Sequence, residues 1–176
     1  MHLKNEHHIR HEDIAEIICT ASVGQKRNFE PEEVKYAPPN GYAAISSIPY
    51  MVSAALVEGR LTLREVTDEK VKDRRILKLI QKVKRAEDLF FKDYKNAAVE
   101  IRMQDGRRFK REQTDAVGSP EIPAPREMVE AKFRSNAEQW MSSRAIDRII
   151  ATVRDLENLQ DITVLTTLLQ GVRRSP

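Results

Sequence analysis

The most apolar stretch of an otherwise polar chain is 43-AAISSIPYMVSAALVEGR-60, and it carries a tyrosine, Tyr50, in its middle. Apolar residues dense enough to bury a whole helix, followed by Gly59 at the stop, predict a helix over 43–59 closed by a glycine C-cap. A tyrosine buried in such a helix needs a partner for its hydroxyl. Ser46 and Ser47 lie one helical turn before Tyr50 and Ser53 about one turn after it, so the phenol has small polar neighbours on its own face. Two readings stand side by side. In the first, Tyr50 is a core residue whose hydroxyl bonds a backbone carbonyl; in the second, the small serines let a ligand approach and the phenol meets it.

A helix this apolar needs cover, and the rest of the chain bounds what can supply it. With 176 residues, the sequence suggests one domain or a domain plus an appendage. Its 40% apolar and 32% charged residues are ordinary for a soluble globular protein. No apolar stretch approaches the ~20 residues that span a bilayer, so no membrane association is expected. The start, MHLKNEHHIRHEDI, has no apolar signal core, and a cytoplasmic location is expected. Cys19, the single cysteine, sits in IAEIICTASV and reads as a buried structural thiol in a reducing compartment.

The net charge of +3 raises the question of nucleic acid. Basic residues are interleaved with acids except in 70-KVKDRRILKLIQKVKR-85, where Val71, Ile76, Leu79, Ile80 and Val83 recur near helical spacing. That pattern predicts an amphipathic helix, opened by Thr67-Asp68-Glu69 and running to about Arg85, with a solvated basic face. Aromatic or glycine signatures of nucleic-acid binders are missing, and no nucleic-acid partner is expected.

Residues 12–23, EDIAEIICTASV, mix alternation with β-branched residues and predict a strand. Residues 24–42, with three prolines and two glycines, predict a long loop. AAVEIRMQDGRRFKREQ alternates on both sides of Asp105-Gly106 and predicts a hairpin with a type I′ turn. Ala98, Glu100 and Arg102 fall on one face, and Val99, Ile101 and Met103 on the other. AEDLFFKDY before it suggests a further strand. DAVGSPEIPAP reads as a boundary, after which three amphipathic helices follow: one from Pro125 through Met128, Phe133, Ala137 and Met141, one behind a serine cap with Ile146, Ile149, Ile150, Val153 and Leu156, and one capped by Asp161 and closed by Gly171. The expectation is an α+β fold in two layers over residues 1–120, followed by a helical segment over 121–176. Three short amphipathic helices cannot easily bury their faces on one small, already covered sheet, so they read as part of a larger helical body.

Self-contained catalytic motifs are missing from the sequence. It has no Gly-rich nucleotide loop, nucleophile elbow, Cys pair or zinc-protease helix. His7, His8 and His11 stand beside Glu12 and Asp13, and the i,i+4 spacing of His7 and His11 would suit a shared metal. The segment lacks an apolar frame and any further ligand downstream, so a surface turn is the expectation and no metal or other cofactor is assigned.

Three segments resemble one family in the same order. ISSIPYMVSAALVEGRLTLREVTDEKVKD, the hairpin AAVEIRMQDGRRFKRE, and the tail with EMVEAKFRSNAEQWM, DLENLQD and VLTTLLQG are similar to the MmgE/PrpD family, which includes dehydratases and decarboxylases acting on citrate-like acids. The resemblance implies a lid of α+β type inserted in an all-helical body formed by both chain ends. The active site would lie in the cleft between them, and the chemistry would be metal-independent proton removal beside a carboxylate. Residues 1 to about 120 would be the lid and 125–171 the last helices of the body. The resemblance carries Tyr50 over as a catalytic candidate. Its small polar neighbours Ser46 and Ser47 and the cation Lys132 are the substrate-binding candidates; Lys132, like the further cations Arg60 and Arg134, reads equally well as a surface charge. The family's aspartate, histidine and lysine motifs, which belong mainly to its N-terminal helical domain, have no counterpart here. The implied partners are a small polycarboxylate and either further copies of the chain or a separate N-terminal helical subunit.

Overall fold

The computed structural model describes residues 1–86 and 96–170. They form two compact units, Met1–Ile122 and the region from Pro123 onward. The first is α+β. Its strands are β1 (Ile14–Thr20), β2 (Val83–Arg85), β3 (Ala97–Met103) and β4 (Arg108–Gln113), in the sheet order β2-β1-β3-β4. β1 pairs in parallel with β2 and antiparallel with β3, and β3 pairs antiparallel with β4.

Period-2 alternation decides which face is which. Ile17 lies opposite both Val83 and Ile101, and Cys19 opposite Val99. Ile17, Cys19, Val83 and Ile101 are buried in one apolar cluster. Glu16 and Arg102 point the other way: Arg102 Nη1 donates to Glu16 at 2.7 Å, Arg102 Nε to Glu100 at 2.7 Å, and Lys84 pairs with Glu16 at 2.5 Å. Such cross-strand charges contribute little each, and they fit the expected wet face. The exception is Ala98, which belongs to that face and is nonetheless buried.

The hairpin forms where expected, but not with a type I′ turn. Gly106 has φ of 88° while Asp105 does not, and a type I′ turn needs positive φ at both central residues. Gly106 N–H donates to Met103 O (3.1 Å) and Met103 N–H to Arg107 O (2.9 Å). This is a three-residue loop, a tight turn followed by a left-handed glycine bulge. Asp105 accepts from the Arg107 N–H at 3.0 Å, stabilising the bulge locally.

The helix expected over 43–59 is two helices, α3 (Gly41–Ile45) and α4 (Ile48–Glu58), broken at Ser46–Ser47. Pro49 causes the break: it has no N–H to donate, and its ring would clash with the carbonyl four residues earlier. It is tolerated in the first turn of a new helix, where Ser47 is the cap. Gly59 closes α4 with φ of 73°, as the sequence led one to expect. The segment read as a loop over 24–42 contains α2 (Glu32–Lys35) and the start of α3. The basic helix is also shorter than expected. α5 (Arg74–Ile80) is capped by Asp73, and Val83–Arg85 leaves it to pair with β1, because β-branched Val83 is buried opposite Ile17. The further strand expected in AEDLFFKDY lies outside the described residues, as does Gly171.

α4 and α5 supply Tyr50, Ala54, Leu56, Ile76, Leu79 and Ile80 to the same apolar cluster as the sheet. The N-terminal α1 (His2–Glu6) also packs here. Lys4 Nζ donates to Leu56 O, placing a cation at the carbonyl end of α4 where the helix dipole favours it. His7 stacks on Phe109 with ring centroids 4.2 Å apart, which gives this histidine a packing role.

The second unit is helical: α6 (Arg126–Ala137), α7 (Ser143–Arg154) and α8 (Thr163–Leu169). Arg134–Asp147 (2.6 Å) and Arg154–Glu130 (2.5 Å) join α6 to α7, and Ile146 and Ile149 are buried. Many other apolar side chains of these helices are not. Met128, Val129, Val153, Ile162, Val164 and Leu169 are exposed, and Trp140 is 70% exposed.

Gly41 provides a stringent check of the first unit, because a Cβ there would lie 2.0 Å from the backbone oxygen of Val66. Gly41→Ala is therefore expected to cost about 3 kcal/mol or more in urea unfolding. A loss below ~0.5 kcal/mol would mean that the two segments do not approach this closely.

Candidate functional site

The residues nominated by the sequence converge, in part, around the break between α3 and α4. Ser46 ends α3 and is exposed, and its hydroxyl donates to Ala43 O at 3.2 Å. Ser47 is fully buried and acts twice: its Oγ donates to Lys35 O (2.5 Å) and accepts the Tyr50 N–H (3.0 Å). One serine thus caps α4 and fastens α2 to it. Lys35 Nζ donates to Ser46 Oγ at 2.8 Å. Lys35 carried no signal in the sequence beyond being one lysine among many.

Tyr50 occupies the position of a core tyrosine. It is 0% exposed, and its hydroxyl donates to Glu65 O at 2.6 Å. This is the first of the two sequence readings: the phenol is not presented to any described surface. Burial, with a further contribution from Asp73, Glu65 and Glu58, pushes its pKa up to about 12, which keeps it protonated and donating.

The Glu65 that receives this bond is itself buried, and its carboxylate accepts from Arg60 Nε (2.8 Å), Thr62 N–H (2.8 Å) and Thr62 Oγ1 (2.7 Å). Burial alone would raise this carboxyl. The hydrogen bonds from Arg60 and Thr62, with the Arg60 charge, outweigh it and hold the pKa below the usual carboxylate value. The pattern Thr62-x-x-Glu65 is a capping box: Thr62 opens LTLREVTDEKV as a helix-start signal, and Glu65 completes it. It also engages Arg60, one of the candidate carboxylate-binding cations. Arg134 likewise pairs with Asp147 (2.6 Å). Lys132 is exposed on α6, in the second unit.

Cys19 is buried. Burial pushes the Cys19 thiol to about 12, so it is an inert core group. Among the described residues, no group of three or more His, Cys, Asp or Glu is placed to hold a metal ion.

The geometry therefore supplies a braced wall: Lys35, Ser46, Ser47, Tyr50 and Glu65 joined through side chain and backbone. A self-contained acid–base constellation is not among these contacts. A family model described as the MmgE/PrpD C-terminal domain matches residues 1–158. The chain belongs to the MmgE/PrpD family. It is similar to cis-aconitate decarboxylase of Homo sapiens and of Mus musculus, 28% identical to each over 137 residues. Each match covers 76% of this chain and 28% of the relative, so the matched stretch is little more than a quarter of those enzymes' length. No helix among the described residues is long and apolar enough to cross a membrane.

The protonation of Tyr50 is open to titration. Its folded pKa is raised from 10.0 to about 12, so its contribution to stability is complete below the ordinary phenol value and is lost as pH rises toward the folded one. Phenolate absorbance should show one tyrosine ionising only near the top of that window, and Tyr50→Phe should remove that step. The same substitution should cost about 1–2 kcal/mol by leaving the buried Glu65 carbonyl without its donor. A Tyr50 that ionises with the exposed phenols would contradict the buried placement.

Proposed function

We propose that this chain is the lid and closing-helix portion of an MmgE/PrpD-type lyase, a dehydratase or decarboxylase acting on a citrate-like polycarboxylate, and that it works together with an N-terminal helical domain. The observation that carries this reading is the match of residues 1–158 to the family's C-terminal domain. The uncovered apolar side chains of α6–α8 support it, since exposed apolar faces of this extent mark surfaces that another body covers. The 1–120 and 121–176 division belongs to the same proposal, as do a cytoplasmic setting and assembly with further copies or a helical subunit.

In this reading the lid contributes binding and exclusion of water, and the helical domain contributes the proton-transfer groups. Ser46 on the first unit and Lys132 on the second are the nominated side chains that stand exposed, and each is assigned separately as a substrate contact of its own unit. Ser47 and Tyr50 hold the wall from behind, which makes them positioning residues. Their loss would act through the shape of the lid rather than through the reacting atoms.

A second reading is favoured by one specific observation. The Tyr50 hydroxyl is already committed to Glu65 O, so the same structure suits a binding or scaffold protein that keeps the lid fold without chemistry. Mixing the chain with an N-terminal MmgE/PrpD helical domain and following loss of water or carbon dioxide from citrate-like acids separates the two. The lyase reading expects turnover that neither part shows alone, reduced at least severalfold by Tyr50→Phe. An assembled pair that leaves such acids untouched would sink the lyase reading in favour of the scaffold.

A further inference from the structure

We propose that Lys35 and Ser46 form a carboxylate-binding subsite on the lid, with the Lys35 ammonium as its charge. The inference rests on the polycarboxylate reading above and adds to it the group that recognises one carboxylate. Lys35 is 9% exposed, a degree of burial that lysine seldom reaches without an acidic partner. Here it has none: its ammonium bonds the neutral Ser46 hydroxyl, and among the described residues no carboxylate forms an ion pair with it, not even Glu32 and Glu33 on the same short helix.

Ser46 orients this cation without neutralising it. The serine proton is directed to Ala43 O, so the oxygen faces Lys35 as an acceptor and takes one of the three ammonium N–H groups. Two N–H groups remain. The backbone end of Lys35 is fixed as well, because its carbonyl accepts from Ser47 Oγ. A lysine held at both ends has already lost much of the rotamer freedom that binding would otherwise cost. The charge at this place is that of the ammonium itself, since Ser46 stands between the carbonyl end of α3 and the N-terminus of α4 and the two helix dipoles oppose each other there. The surface lies on the Ser46 side of the pair: Ser46 is exposed, and Tyr42 and Ile45 on the same short helix are 87% and 51% exposed. A carboxylate arriving there would replace water on the two remaining N–H groups with charge-assisted hydrogen bonds.

Tricarballylate, a tricarboxylate with no hydroxyl to lose, is a suitable probe because its binding needs no turnover. Titrated into the full chain and followed by backbone amide shifts, it should perturb residues 34–47 and saturate. Lys35→Met, which keeps the aliphatic stem, should weaken binding about tenfold or more, and Lys35→Arg should restore part of the loss. Ser46→Ala should weaken binding severalfold, and because it removes the hydroxyl that the buried Lys35 ammonium bonds it should also lower the unfolding midpoint modestly, so binding is compared well below that midpoint. Wild-type-like binding by Lys35→Met, shifts confined to other residues, or equal binding of the trimethyl ester would overturn the subsite. A failure here leaves the lyase reading standing, and a reconstituted pair without turnover leaves this binding measurement unaffected.

Discussion

A phenol hydroxyl sealed in an apolar interior must find an acceptor, and Tyr50 finds a single backbone carbonyl, Glu65 O, at 2.6 Å. Much of the first unit is arranged around that requirement. The carbonyl can stand there only if the chain after α4 turns back across the helix, and that return is fixed by the Glu65 carboxylate holding Thr62 and Arg60. At the other end, the ring is positioned by the first turn of α4, which Ser47 caps while reaching back to Lys35 O. Three segments distant in sequence are thereby joined, and the two bonds that link them, Ser47 Oγ to Lys35 O and the Tyr50 hydroxyl to Glu65 O, are buried. Each is stronger for being dry, and costlier to break for the same reason.

The charges near this core follow the same economy. Glu58 accepts from Lys70 and Arg75, and Asp73 pairs with both of them while capping α5. The Arg75 hydrogen bonds, with those from Lys70, hold the Asp73 carboxyl far below the usual carboxylate range despite its partial burial. A carboxyl depressed in this way contributes stability above its ordinary value and loses it as pH falls through the folded one. Against this background, the ammonium of Lys35 is unusual in facing, among the described residues, a hydroxyl alone. The two units also differ in kind. The first encloses a cluster containing Ile14, Ile17, Tyr50, Ile76 and Ile80, whereas the second leaves a groove of about 390 Å³ lined by Val129, Phe133, Ile149, Ile150 and Val153 together with Arg126, Glu130 and Arg154.

The sequence made the α+β class, the strand at Ile14–Thr20, the hairpin and the Gly59 cap legible, because each depends on local signals: alternation, β-branching and a glycine with positive φ. The resemblance pointed to the family that the match over residues 1–158 shows. What was not legible depended on tertiary competition. The helix break at Ser46–Ser47 was signalled by Pro49, yet the surrounding apolar run masked it. Val83–Arg85 has a helical pattern but pairs with β1, because a β-branched residue beside Ile17 is worth more there than one more helical turn. For the site, Tyr50 and its serines stand together as the sequence suggests; the partner of the phenol, Glu65 O, belongs to a segment whose helix start at Thr62 is readable, whereas its contact with Tyr50 is tertiary and is not. Lys35 shows the limit most clearly, since nothing in a sequence tells a lysine without a counter-ion from one on a solvated face.

The central claim is that the first unit is complete in itself while α6–α8 form a surface made to be covered by a helical domain. Hydrogen–deuterium exchange of the chain, alone and mixed with an MmgE/PrpD N-terminal helical domain, tests this directly. The account predicts slow exchange across β1, β3 and α4 in both samples, with residues 126–169 exchanging quickly alone and becoming protected only in the mixture. Residues 126–169 that are already as protected in the chain alone, and unchanged by the added domain, would contradict it.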